Sequence, residues 1–358
     1  MRAKELVFAG ARRAGVLGLT RDSNWRRRRL LILCYHGVST ADEHEWNGEL
    51  YVPPALLRER LRHLRENGYN LLPLAEACAR LRSGSLPPRS VAITFDDGAV
   101  DFASSALPIL REFNAPATVY LTTYYAENRL PVFDVVVSYV LWRGRDRRVD
   151  LSSVCGSPEA VFAQSPAERA SAFRAMFDFA RAHGLNAREK DALVARVATL
   201  LGVPYGEIVA SGLFQIMSPE VIAALPPDLI DVQLHTHRHR TPNDHGLFLR
   251  ELQENADRIR ALRGDVVNLA HFCYPSGVYE HAFLPWLREA GVQYATTTVP
   301  GLASPSDDPL LLPRMVDTTA RSALAFEAWA SGFAALLPRQ PAHSYRGEQT
   351  ADSRSGNG

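Results

Sequence analysis

Short apolar segments alternate with longer amphipathic segments along most of the chain. The apolar segments are rich in Val, Ile, Leu, Tyr and Phe and are bounded by turn residues, which is typical of buried strands. We predict strands over residues 30–35, 69–72, 91–95, 117–122, 229–234, 268–274 and 292–297, and a weaker eighth strand over 311–316. Strands that alternate with helices form βαβ units, so we expect a parallel sheet.

The amphipathic segments between these strands predict helices. One helix is expected from Pro54 to residue 67, because proline favours the first turn of a helix and Gly68 favours its end. Another is expected over 99–113 with a kink at Pro108, and a third over 246–263. Seven or eight strand–helix units favour a distorted (β/α) barrel of parallel strands over an open doubly wound sheet.

Residues 123–217 interrupt the alternation and carry helical patterns joined by polar segments. We interpret them as a helical insertion between two barrel strands, with a small separate domain as the alternative. The chain therefore divides into a basic N-terminal lead-in (1–29), a barrel domain (30–338) with its insertion, and a polar tail (339–358). The composition of the tail is typical of disorder.

Composition and charge narrow the class of protein. Of the 358 residues, 46% are hydrophobic and 22% are charged, values that fit a globular chain. Lys and Arg number 40 against 39 Asp and Glu, so we expect no nucleic-acid partner. Four widely spaced cysteines and no clear export signal lead us to expect a cytoplasmic protein.

The N-terminal segment has two interpretations. Residues 6–19 are apolar but contain Arg12 and Arg13, so the segment is too short and too charged to cross a membrane. We expect a frayed, solvated basic lead-in. The alternative is an amphipathic segment on an anionic membrane surface, which would give peripheral membrane contact.

Four of the predicted strands end in reactive residues. In parallel α/β folds the carboxyl ends of the strands form one face, and ligands bind there. We therefore expect four clusters that lie far apart in sequence to meet in the fold. They are His36, residues 96–98 (Asp-Asp-Gly), residues 235–239 (His-Thr-His-Arg-His) and residues 274–277 (Tyr-Pro-Ser-Gly).

The histidine cluster predicts a metal site. His235 and His239 share a face of a helix or of a strand, so both can reach one divalent metal. Together with a carboxylate from residues 96–97 they form the ligand set of a catalytic metal site. We do not count His237 as a ligand. A capping turn at 96–98 and a chance polar loop at 235–239 remain as alternatives.

These motifs resemble those of the polysaccharide deacetylases, carbohydrate esterase family four. Residues 94–98 match the family's T-F-D-D-G motif, and residues 235–239 match its H-[ST]-x-x-H motif. Residues 272–277 (F-C-Y-P-S-G) resemble its F-A-Y-P-x-G form. Residues 33–38 (L-C-Y-H-G-V) resemble the L-x-Y-H-x-V opening of members that supply a histidine early in the domain. The resemblance spans about residues 30–317.

The resemblance implies a role for each matching residue. Asp97, His235 and His239 would bind a divalent metal, usually zinc in the family. Asp96 would act as the general base and His36 as the general acid.

The turn at 274–277 would complete the site. The resemblance implies that the backbone N–H of Tyr274 helps to hold the oxyanion, while Pro275 and Gly277 contact the substrate. Many members carry an arginine where Cys273 stands, and that arginine braces the base. The sequence does not reveal what braces Asp96 here.

The expected function is a metal-dependent hydrolase that removes N-acetyl groups from a sugar in a polysaccharide, an oligosaccharide or a lipid-linked glycan. One alternative is an amidase that acts on a non-sugar amide or imide. Another is a non-catalytic glycan-binding module, although such a module would have lost the ligands that are present here. The motifs leave the sugar, the metal and the oligomeric state open.

Overall fold

The computed structural model describes residues 2–127, 129–265 and 267–338. Eight of the strands in this part of the chain form one parallel sheet in the order β10-β1-β5-β6-β7-β8-β9, with β4 paired to the start of β5. The remaining two strands, β2 and β3, form a small parallel pair. The strands are β1 (Leu31–Tyr35), β2 (Gly37–Val38), β3 (Tyr51–Val52), β4 (Asn70–Leu71), β5 (Ser90–Phe95), β6 (Ala117–Leu121), β7 (Ile230–Leu234), β8 (His271–Cys273), β9 (Tyr294–Thr296) and β10 (Met315–Val316).

The sheet curls until its two edges meet. Thr296 of β9 forms a parallel bridge with Leu312, and the chain then continues into β10, which pairs with β1. The predicted distorted (β/α) barrel is therefore confirmed. Most sheet strands are shorter than the predicted segments; β8, for example, occupies three residues of the seven expected. Apolar patterns mark burial, and burial extends beyond the residues that pair in the ladder.

Helices surround the barrel and form its two appendages. They are α1 (Arg2–Arg13), α2 (Val16–Asp22), α3 (Asn24–Arg27), α4 (Glu43–Trp46), α5 (Pro54–Glu66), α6 (Leu74–Ser83), α7 (Leu107–Glu112), α8 (Phe133–Arg143), α9 (Ser152–Cys155), α10 (Pro166–Ala182), α11 (Ala187–Leu201), α12 (Tyr205–Ala210), α13 (Pro219–Ala223), α14 (His245–Arg263), α15 (Phe283–Glu289), α16 (Ala323–Ala330) and α17 (Phe333–Leu336).

The helix predicted over 99–113 is divided at its proline. A π-helical turn spans Phe102–Ala106, and α7 follows with Pro108 in its first turn. Proline has no N–H to donate, so the hydrogen-bond ladder reorganises before it.

The strands are buried on both faces. Leu31 and Leu33 of β1 belong to the core between sheet and helices. Ile32 of β1 belongs to a second cluster with Tyr120 and Cys273 from strands across the barrel. This alternation places every second residue of a strand inside the barrel, which is where the reactive residues at the strand ends are held.

The helical insertion lies between β6 and β7, as the predicted architecture requires. Helices α8 to α12 have a hydrophobic core of their own, built around Val140, Leu193 and Val197. The limits of the insertion (123–217) and of the whole barrel domain (30–338) stay a prediction.

The expectation of a frayed N-terminal lead-in is wrong for the described residues. Phe8 and Leu17 are buried in a cluster with Ala325 and Ala328 of α16. Arg26 is fully buried, and its guanidinium donates to three backbone carbonyls. The apolar side chains of α1 and α2 complement α16, and the hydrogen bonds of the guanidinium offset part of the cost of burying its charge.

Two further expectations concern the ends of the chain. The predicted disordered tail (339–358) lies outside the described residues. Among the described helices, none is long and apolar enough to cross a membrane.

Candidate active site

A possible metal site forms where β5 and β7 end. Asp97 follows β5, and its Oδ1 lies 3.2 Å from Nε2 of His235 and 3.2 Å from Nε2 of His239, both of which follow β7. The three ligand atoms lie within 4.8 Å of one another. Two imidazole nitrogens and one carboxylate oxygen that converge in this way fit a divalent cation.

The orientation of His235 is fixed by a hydrogen bond on the far side of its ring. Its Nδ1 lies 2.8 Å from the backbone carbonyl of Cys273. A carbonyl can only accept, so Nδ1 carries the hydrogen and Nε2 keeps a free lone pair towards Asp97. The side chain of Asn255 accepts the backbone N–H of His235 at 3.0 Å and donates to the carbonyl of Leu121, which ties β7 to β6.

Three residues of the site have left-handed backbone conformations. The φ angles are 71° at Asp97, 62° at Thr236 and 54° at His239. Each such non-glycine residue costs on the order of 1–3 kcal/mol, and strained residues of this kind cluster at functional sites.

His237 lies apart from the other two histidines of its motif. Its Nδ1 is 2.8 Å from the hydroxyl of Thr123, and its ring contacts Tyr124 edge-on. It does not belong to the group of converging ligands.

Asp96 is braced by a buried arginine that the motifs did not reveal. Nη1 and Nη2 of Arg314 each donate to one carboxylate oxygen of Asp96 at 2.7 Å, and both residues are buried. Nε of Arg314 donates to the carbonyl of Thr297, and Nη1 also reaches the hydroxyl of Thr94. Arg314 therefore makes the contact with Asp96 that the resemblance assigns to an arginine at the position of Cys273.

The surroundings of Asp96 keep it ionised. Burial by itself raises the pKa of Asp96, but the charge and hydrogen bonds of Arg314 outweigh burial and hold that pKa well below its ordinary value. Cys34 and Cys273 lie 3.5 and 3.4 Å from Oδ2 of Asp96. Burial raises the pKa of both thiols, so they remain protonated and act as weak donors to the carboxylate.

His36 lies beside Asp96, as the strand-end argument predicted. Its Nε2 is 3.8 Å from Oδ2 of Asp96, and its side chain is 22% exposed. Its Nδ1 is buried without a hydrogen-bond partner among the described residues. The proposed acid and base thus face the same space next to the possible metal ligands.

The turn after β8 lies beside the site, but the backbone N–H predicted to hold the oxyanion already has a partner. The backbone N–H of Tyr274 already donates to the carbonyl of Thr296 at 3.4 Å, a long hydrogen bond, so it would have to be shared with an oxyanion. Pro275 is buried. Gly277 has a φ of 68°, and a Cβ there would lie 2.1 Å from the hydroxyl of Thr298. The glycine thus shapes the turn, whatever it contacts in a substrate.

A cavity of about 290 Å³ opens beside Asp97 and His239, between the barrel and the insertion. Five of its sixteen lining residues are phenylalanine or tyrosine, and part of its wall comes from α8, α10 and α11. Its lining includes Tyr51, Phe133, Asp134, Phe177, Lys190 and Phe214.

Arg314 is the main functional residue that the sequence reasoning missed. It follows Pro313 inside an otherwise apolar segment (311–316) that the sequence predicts only as a weak strand. A lone arginine in a buried strand requires a buried partner, and this was the available signal. Its partner lies 218 residues away in sequence, so nothing local could identify it.

Part of the chain matches a known protein family. Residues 83–153 match the family model described as polysaccharide deacetylase. The resemblance drawn from the motifs is confirmed by this match, which covers about a fifth of the chain.

A curated relative is the poly-beta-1,6-N-acetyl-D-glucosamine N-deacetylase of Escherichia coli (strain K12), which is 34% identical over 100 residues. The alignment covers 28% of this chain and 15% of the relative. This chain therefore matches well under two thirds of that protein's length.

Solved structures share the fold over nearly the whole chain. The Streptococcus pyogenes deacetylase PplD, solved in complex with acetate, has a TM-score of 0.56 at 18% identity, covering 87% of this chain and 99% of that chain. IcaB from Ammonifex degensii has a TM-score of 0.53 at 18% identity, covering 85% and 97%. At these identities the likeness shows the barrel fold.

Proposed function

We propose that the chain is a metal-dependent hydrolase that removes N-acetyl groups from an N-acetylated sugar in a polysaccharide, an oligosaccharide or a lipid-linked glycan. The observation that carries the proposal is the convergence of Asp97, His235 and His239 next to a buried, ionised Asp96. The match of residues 83–153 to the polysaccharide deacetylase model supports the same chemistry.

The proposed cation is Zn²⁺, held by Asp97, His235 and His239. When bound, it would supply Lewis acidity at the substrate carbonyl and at the attacking water. Two imidazoles and one carboxylate, with a position left open, suit zinc in catalytic sites.

The acid–base work falls to Asp96 and His36. Asp96 is ionised at neutral pH and accepts the proton of the water that attacks the acetamide carbonyl. His36, whose Nε2 lies 3.8 Å from Oδ2 of Asp96, donates a proton to the departing amine, without which an amine anion would have to leave. Water's hydroxyl joins the acetyl group, so the products are acetate and a free amino sugar.

The oxyanion and the substrate would contact the turn after β8 and the cavity. We assign the backbone N–H of Tyr274 to the oxyanion, and Pro275 and Gly277 to the substrate-binding edge. The aromatic wall of the cavity suits the C–H faces of a sugar ring, with polar groups that orient it. The Escherichia coli relative is named for a poly-N-acetylglucosamine, which makes that polymer the first substrate to test.

We place the enzyme in the cytoplasm. The four cysteines are free and buried, which supports a reducing compartment.

The first experiment measures bound metal without a substrate. The untagged protein should carry about one zinc per chain, and His239→Ala should lose most of it because a ligand is removed. His237→Ala is the matched control, since His237 lies in the same motif but bonds Thr123. Equal metal content in all three proteins after reloading with zinc would remove the basis of the proposal.

The second experiment separates catalysis from metal binding. Asp96→Asn should retain zinc but lose at least about 10²-fold in deacetylation of poly-N-acetylglucosamine, because the proton acceptor is gone. Released acetate is the readout, and N-acetylated monosaccharides and cyclic imides complete the substrate panel. Wild-type turnover in Asp96→Asn would show that Asp96 is not the base. Turnover of imides alone would favour the non-sugar amidase.

A further inference from the structure

The N-terminal and C-terminal helices of the described chain pack together as one unit. We call α1, α2, α3, α16 and α17 the terminal helical unit. Phe8 of α1 contacts Phe333 of α17 with ring centroids 6.3 Å apart, and Leu17 of α2 joins the same cluster. These contacts bury the inner face of the unit, and the side chains that do not take part in them form its outer face.

That outer face carries the most exposed large apolar side chains of the described residues. Leu6 is 74% exposed, Leu19 73%, Leu336 53% and Val7 47%. Every other large apolar side chain among the described residues is less exposed than these four. Single exposed leucines are ordinary, but a concentration on one small unit marks an interaction surface.

The same unit holds a strong local positive charge in a nearly neutral protein. Residues 2–29 contain nine basic and two acidic residues, a net charge of +7, while the rest of the chain carries 31 basic and 37 acidic residues. Lys4, Arg13, Arg27 and Arg28 are exposed and form no ion pair with the described residues. Of the two acidic residues, Asp22 is already paired with Arg21 and Arg89.

The unit is fixed to the barrel on the side away from the candidate active site. Helix α3 leads into the amino end of β1, and Nη2 of Arg26 donates to the carbonyl of Ser90 at the start of β5. Asp97 and His235, by contrast, follow the carboxyl ends of β5 and β7. A surface that bound the terminal helical unit would leave the active site facing away from it.

We propose that the terminal helical unit docks on an anionic lipid bilayer. Leu6, Val7 and Leu19 enter the interfacial region, and the unpaired basic side chains face the lipid headgroups. Both features are needed to select this partner. A dissolved polyanion would use the charge but not the exposed leucines, and a second copy of the unit would be repelled by the net charge of +7 on residues 2–29.

The test uses the full-length protein and vesicle co-sedimentation. Vesicles of phosphatidylcholine with phosphatidylglycerol should bind the protein, and pure phosphatidylcholine vesicles should bind it much more weakly. The double variants Leu6→Ser/Leu19→Ser and Arg27→Gln/Arg28→Gln should each weaken binding at least about tenfold. The control Val221→Ser/Val299→Ser removes two exposed apolar side chains elsewhere and should bind like wild type.

Several outcomes would overturn the proposal. Absence of binding to the anionic vesicles would do so. Binding that the leucine variant leaves unchanged, and for which heparin competes, would indicate that the partner is an anionic polymer. A stable dimer that the leucine variant dissociates would indicate a second copy. Bound zinc and activity on a soluble substrate should be unchanged in every variant, so failure here is distinct from failure of the proposed hydrolase.

Discussion

At the scale of single residues, Arg314 sets the protonation state of Asp96, the proposed base. The carboxylate and the guanidinium are both buried, and they meet in a bidentate hydrogen bond that compensates the loss of water. The pKa of Asp96 is lower in the folded than in the unfolded chain. Its ionisation therefore stabilises the fold above the unfolded pKa of about 3.9, and this contribution is lost as pH falls below that value.

Removing the brace should affect both stability and the pH profile. We expect Arg314→Gln to lower the free energy of unfolding by about 3–5 kcal/mol, because a buried carboxylate loses its partner. The pKa of Asp96 should rise, so the acidic limb of kcat/KM should move to higher pH. Urea unfolding and a pH–rate profile measure the two effects.

Arg258 provides the matched control for that variant. It forms an exposed ion pair with Glu127, so Arg258→Gln should change stability by no more than about 0.5 kcal/mol. An acidic limb that stays in place in Arg314→Gln would show that the brace does not set the pKa of the base.

In a second buried carboxylate, that of Asp101, the pKa is shifted in the opposite direction from that of Asp96. Asp101 accepts the backbone N–H of Val38 at 3.0 Å, and burial raises its pKa to about 7. The folded chain thus binds this proton more tightly than the unfolded chain, so stability falls as pH rises from about 4 to 7.

Asp101→Asn should remove that pH dependence. The amide oxygen can still accept the N–H of Val38 but carries no charge to bury, so the variant should be more stable than wild type above pH 7. At pH 4 the two proteins should be closely similar. Urea unfolding at both pH values measures this, and equal stability at both would show that Asp101 has an ordinary pKa.

At the scale of elements, tight turns at the strand ends place the functional groups. The turn after β8 depends on Gly277, which combines a left-handed φ with close contact to Thr298. The C-cap of α6, Gly84, has a similar φ of 70° but open space around it. Substitution of Gly84 therefore tests backbone strain alone, whereas substitution of Gly277 adds a steric clash.

Gly277→Ala should be more destabilising than Gly84→Ala. Both variants pay about 1–2 kcal/mol for a left-handed alanine, and only Gly277→Ala also forces a methyl group against Thr298. Denaturant midpoints measure the difference. Deacetylation should fall in Gly277→Ala alone, since only that turn borders the site, and equal effects of the two substitutions would contradict this account.

At the scale of the whole molecule, the candidate site lies between two separately packed bodies. Asp97 and His239 come from the barrel, while Phe133 and Phe177 come from the insertion with its own core. The barrel thus carries the candidate catalytic groups, and the insertion forms one wall of the cavity next to them.

Phe133→Ala should therefore weaken substrate binding and leave the metal in place. We expect KM for the sugar to rise several-fold, corresponding to about 1 kcal/mol or more, with bound zinc unchanged. Phe162→Ala is the control, because Phe162 stacks under Arg148 in the insertion and lies outside this cavity. Unchanged KM in Phe133→Ala would place the substrate elsewhere on the barrel.

The sequence by itself determined the strands, the barrel and the residues at the strand ends. These follow from local patterns: alternating burial defines each strand, and in a parallel barrel all carboxyl ends meet on one face. A carboxylate of residues 96–97 could be placed beside His235 and His239 for this reason alone, and the resemblance then singled out Asp97. Only the tertiary structure decided the brace at Arg314, the packing of the N-terminal helices and the commitment of the Tyr274 N–H to Thr296. Each of these depends on which distant segments the closed barrel brings into contact, and no local pattern encodes that pairing.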